Sequence, residues 1–163
     1  MSKPQNIEKK KTNMRGLILL IIFSTVNIVS TAQPAHRHSL GLGAGAVYLS
    51  DDKIFSPGLQ LEYAYHFIWG TTPLHASACT ELIFGEERHI GLALGLGFTP
   101  IGNLDLGIGP GVMFEGKKHY FCLHLSGSWG FDLRGFSMGP IVELAHTGRH
   151  FHMLAGLIFE IDF

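Results

Sequence analysis

The sequence predicts an all-β fold: a closed, eight-stranded, antiparallel up-and-down transmembrane β-barrel. Three observations predict it. After residue 36, apolar residues recur at every second position and no long helical period appears. Sorted into two faces, the alternating segments share one apolar face that carries no charged residue. Their other face is built from glycine, serine, histidine and carboxylates.

The N-terminal stretch stands apart. Lys9, Lys10, Lys11 and Arg15 precede the apolar run "GLILLIIFSTVNIV", and small residues at Ser30 and Ala32 follow. That order is a secretory signal peptide over residues 1–32, leaving 33–163 as the barrel. The apolar run is shorter than the roughly 20 residues of a spanning helix. Taking five bases and one acid from the chain's 12 and 13 leaves seven against twelve, a net charge of −5. Nucleic-acid binding needs clustered Lys and Arg and is excluded as a partner. Cys79 and Cys122 are too few for a disulfide scaffold, and they fall on segments too far apart to predict a pair.

Eight alternating segments follow, at about 38–49, 57–69, 74–84, 89–98, 103–114, 119–131, 135–146 and 150–163. Each is bounded by turn chemistry: "SDDKIFSP", "GTTP", "GEER", "TPIG", "EGKKH", "DLRG" and "TGR". This spacing is that of a meander. The run "GLGAGA" (41–46) matches a dinucleotide fingerprint, but it lies inside the first strand rather than between a strand and a helix.

Volume decides which face points inward. An eight-stranded barrel encloses just enough room for its own side chains. Rows such as Leu92, Leu94 and Leu96 exceed that room, whereas Gly91, Gly95 and Gly97 suit it. The apolar face therefore meets lipid, with outer-membrane lipid and lipopolysaccharide as its surroundings. Outward aromatics fall into two girdles. Trp69, Phe98, Trp129, Phe131, Phe136 and Phe163 mark the periplasmic side; Tyr48, Phe84, Phe114, Phe121 and Phe151 mark the external side. A soluble secreted barrel with the apolar face inside is the competing architecture.

The chain ends "GLIFEIDF", with Leu157, Phe159, Ile161 and Phe163 alternating. This resembles the C-terminal strand of bacterial outer-membrane proteins. With the signal peptide and girdles, the whole mature chain resembles the small OmpX- and OmpA-type barrels. The resemblance implies a monomer in the outer membrane, assembled through recognition of the strand ending in Phe163. The inferred external loops are shorter than those families often carry.

Candidate chemistry lies on the inward face. Glu62, Glu81, Asp105, Glu143, Glu160 and Asp162 point into the lumen, with no Lys or Arg beside them. Buried carboxylates need partners. His66, His75, His124 and His152 supply them, so a Glu/His network that fills the lumen is expected, either as packing or as a pH-sensitive element. No cofactor is implied. His89, His119, His146 and His150 gather at external strand ends and are the candidate metal ligands. One enzymatic alternative stands. Some small outer-membrane barrels remove acyl chains from lipid A with a His-x-Ser pair and a Glu, and His75-Ala76-Ser77 with Glu81 resembles that set. The leading expectation is a non-enzymatic envelope or interaction role.

Overall fold

The computed structural model describes residues 37–85 and 88–163; the segment expected to be a signal peptide lies outside them. Among the described residues nine strands form one antiparallel sheet: β1 (His38–Leu49), β2 (Ile54–Trp69), β3 (Thr72–Ile83), β4 (His89–Ile101), β5 (Leu104–Glu115), β6 (Lys118–Trp129), β7 (Phe131–Asp132), β8 (Ser137–His146) and β9 (Phe151–Asp162). Successive strands pair except β6 with β7; β1 also pairs with β9, and β6 pairs with β8. The sheet closes on itself. Strand β7 continues β6 in the same register, since Ser128 faces Ile141 and Phe131 faces Met138. Eight strands thus span the barrel. We call the end where β1 begins and β9 finishes the near end, and the opposite one the far end.

The alternation read from the sequence is the alternation of burial. On β1, Leu40, Leu42, Ala44 and Ala46 are exposed, while Ser39, Gly41, Gly43 and Val47 are buried. Leu94 is 66% exposed and Leu96 62% at mid-strand of β4. In water such a surface would aggregate; against lipid it is the favourable one. The "GLGAGA" run lies wholly within β1, and no helix follows it.

Strand limits move in several places: β3 begins two residues early, at Thr72, and four other shifts bear on the fold. β2 begins at Ile54, so "IFSP" is strand rather than loop, and Phe55 joins the far-end aromatics at 5.1 Å from Tyr48. β4 runs through "TPI" to Ile101, and the register slips between Phe98 and Ile101. The turn is Gly102–Asn103, where Gly102 takes a φ of +54°. The expected seventh segment starts two residues later, at Ser137. Phe136 instead accepts the Leu133 N–H across a tight turn, with Arg134 and Gly135 at positive φ. The sixth breaks at Gly130. By register Trp129 faces Pro140, which has no N–H to give the ladder.

One expectation of the interior needs correction. The inward face is not only small and polar. Val47, Leu49, Ile83, Met113, Ala145 and Leu154 point inward and form a buried apolar cluster in the far half, with Ile141 and Ile158 extending it toward the middle. Alternation and volume place large apolar residues outward on all strands, because the outward rows are longer and more regular. These few occupy inward positions left by the glycine and carboxylate rows.

The candidate site in the lumen

Two histidine–carboxylate clusters occupy the lumen at different heights. The first lies toward the far half. Glu81 on β3 and His152 on β9 meet at 2.8 Å between Oε2 and Nε2. His124 on β6 bonds Glu143 on β8 through Nδ1. Its Nε2 lies 3.2 Å from the Cys122 Sγ. The two imidazoles face each other edge to face, 6.1 Å apart. Every member is buried; Glu81 is 1% exposed and Glu143 3%. Glu81 Oε1 and Gln60 Oε1 carry no hydrogen-bond partner, and those residues face each other across β2 and β3.

The second cluster lies toward the near end. His75 Nδ1 stands 3.5 Å from Asp105 Oδ2. The His66 and His75 rings are 5.6 Å apart. Ser39 Oγ lies 3.0 Å from His66 Nε2. Glu62 and Glu160 line a cavity of about 20 Å³ together with Ser39, His75 and Asp105. A second cavity, about 30 Å³, lies between the clusters and is lined by Glu62, Ser77, Cys79, His124 and Glu143. Each has room for about one water. Among the described residues every ion pair joins a carboxylate to a histidine.

Local sequence explains how the rings fit. His75 pairs in register with Gly97 on β4. A Cβ at Gly97 would collide with the imidazole. His124 lies over Gly111 of β5 in the same way: a Cβ there would come within 2.7 Å of the ring. These glycines are the floor on which the rings lie flat.

No family model and no curated protein matches the chain by sequence. Solved structures match it in fold. A transmembrane β-barrel designed de novo matches with a TM-score of 0.51 at 8% identity, over 81% of this chain and 100% of the design. Neisserial surface protein A matches with a TM-score of 0.51 at 6% identity, over 77% of this chain and 97% of that protein. The fold is that of an eight-stranded transmembrane β-barrel. At such identity the likeness concerns the path of the chain and not its chemistry.

Within this barrel the expected lumen residues meet as two groups rather than one network. Glu81, His124, Glu143 and His152 form the first. His66, His75, Asp105, Glu62 and Glu160 gather near the second. The deacylase-like set is not assembled. His75, Ser77 and Glu81 all point inward on β3, but His75 faces Asp105 while Glu81 is held by His152. Six residues along a strand separate the two, about 20 Å. The four candidate metal histidines do not meet as one set: His89 and His150 line one far-end cavity with Glu115 and Tyr120, while His119 and His146 stand outside it. His89 points inward, 7% exposed, with Glu115 at 3.6 Å. His119 and His146 are exposed, and His150 packs edge-on to Tyr120 at 6.3 Å. Strand-end position in the sequence does not say which way a terminal side chain turns.

The aromatic residues cluster at the two ends. At the far end Tyr48 lies 5.1 Å from Phe55 and 6.2 Å from Phe151. At the near end Phe163 stacks on His38 at 5.8 Å, and His38 Nδ1 bonds the Tyr63 hydroxyl at 2.6 Å. His38 and Tyr63 were not among the expected girdle residues. Their place is set by β1–β2 pairing, in which His38 faces Tyr65.

Proposed function

We propose that this chain is a monomeric integral protein of the bacterial outer membrane, with a closed lumen and a non-enzymatic structural or interaction role in the envelope. One observation carries the reading. The exterior is a continuous apolar band, while Val47, Leu154 and Ile83, at most 1% exposed, stand across the inside. A conducting pore needs water along its axis, and large inward side chains in an eight-stranded barrel leave little room for it. Short turns at both ends support a compact element that presents little surface beyond the bilayer. In this reading the near end is periplasmic, the surroundings are lipid and lipopolysaccharide, and the outward Phe159, Ile161 and Phe163 are offered to the barrel-assembly machinery.

Purified protein in planar bilayers tests the closed lumen: no stable single-channel step is expected, and a reproducible ohmic conductance overturns it. Cell fractionation tests location. Detergent-dependent extraction with heat-modifiable gel migration is expected; recovery in the soluble fraction overturns the membrane reading in favour of the soluble barrel. The role of the His75–Ser77 strand is tested by mass spectrometry of lipid A from cells with and without the gene. Unchanged acylation is expected, and a loss of acyl chains only in cells carrying the gene restores the enzyme.

A further inference from the structure

We propose that the near mouth of the lumen is a binding site for one divalent transition-metal cation, held by His66, Glu160 and Asp162. The donor atoms of these three side chains all lie within 4.8 Å of one another. They come from β2 and β9, with β1 between. On β1 the inward positions at this height are Gly41, facing Glu160, and Ser39, facing Asp162. Side chains that small let the donors of the two flanking strands meet above them.

The chemistry of the set selects the ion. One imidazole and two carboxylates suit Zn²⁺ and its neighbours, while Mg²⁺ and Ca²⁺ favour oxygen donors alone. Ser39 supplies what a metal-bound histidine needs from its surroundings. With His66 Nε2–H donating to the Ser39 hydroxyl at 3.0 Å, Nδ1 keeps its lone pair. Donors held about 2.1 Å from a tetrahedral ion stand about 3.4 Å apart. The three side chains close by about that difference through rotation, since Asp162 is exposed and the other two are half-buried. Water fills the remaining position.

Charge points the same way. Glu160 and Asp162 form no ion pair among the described residues, and Glu160 shares its cavity with Glu62 and Asp105. Three carboxylates thus line a narrow space with Asp162 at its mouth, and among the described residues no Lys or Arg lines it. Arg37 borders the mouth, its carbonyl accepting the His66 N–H at 2.8 Å, but the residue is exposed. A bound cation offsets that repulsion.

The test is calorimetric titration of ZnCl₂ into the full chain, refolded in detergent and stripped with chelator. One ion per barrel is expected. Glu160→Gln and Asp162→Asn are each expected to weaken it about tenfold or more, the scale of losing a carboxylate ligand. His119→Asn and His146→Asn, at exposed sites, are expected to leave it unchanged. Asp162→Asn keeps its shape at the open end of β9, so heat-modifiable migration should match the parent even if Glu160→Gln fails to fold. Absence of zinc binding overturns the site. So does affinity unchanged in Asp162→Asn, or an equal loss in His146→Asn.

Discussion

The Glu143 carboxylate is buried among strands that offer it one bonded partner, His124. Removing either member strands the other in a low-dielectric interior. Glu143→Ala is expected to cost about 3–5 kcal/mol in urea unfolding followed by tryptophan fluorescence. Replacing both by apolar residues of similar size, His124→Met with Glu143→Leu, is expected to be nearly neutral, since no orphan charge remains. Gly97 makes a second point. A valine there needs the space of the His75 ring. Overpacking of this kind costs about 1–3 kcal/mol, and the same unfolding experiment reads it. The inward carboxylates and histidines were legible from alternation alone. Which carboxylate each histidine takes was not, because pairing joins strands 19 to 71 residues apart.

Among the elements, β4 and β5 show how sequence punctuation becomes geometry. Their ladder lapses between Ala93–Gly111 and Leu96–Ile108, where Pro110 offers no N–H. Its register slips only after Phe98, where the sequence predicts a turn at "TPIG" and the chain instead continues as strand. Proline and threonine there read as a break because both are common in turns, but a strand end with a bulge admits them equally. The outward face of β4 gives a depth-dependent prediction. Leu94→Arg, at mid-strand, is expected to cost about 2–4 kcal/mol of folding stability in lipid vesicles. Phe121→Arg, at the far girdle, is expected to cost about 0–1 kcal/mol from charge alone. Equal penalties would remove the inference that β4 spans the bilayer.

At the scale of the whole barrel, closure joins β1 to β9 and β6 to β8, and these junctions bring together side chains that no local pattern relates. The far half of the lumen sets apolar side chains beside the Glu81–His152 and Glu143–His124 pairs, and the near mouth is acidic. The apolar part is what a closed lumen depends on. Trimming it in the triple variant Val47→Ala, Met113→Ala and Leu154→Ala is expected to convert a silent barrel into one with brief ionic currents in planar bilayers. If the variant folds, as judged by heat-modifiable migration, and stays silent, the seal lies elsewhere along the axis.

The sequence by itself determined the strand count, the antiparallel order, the direction of most side chains and the lipid-facing surface. Those follow from a period of two and from volume, both of which are local or additive. Only the tertiary structure decided the inward apolar cluster, the pairing of Glu81 with His152 and Glu143 with His124, the separation of His119 and His146 from His89 and His150, and the meeting of His66 with Glu160 and Asp162. Those depend on the stagger between strands and on the junction that closes the barrel. A shift of two residues in register keeps every side chain on its face and changes every neighbour.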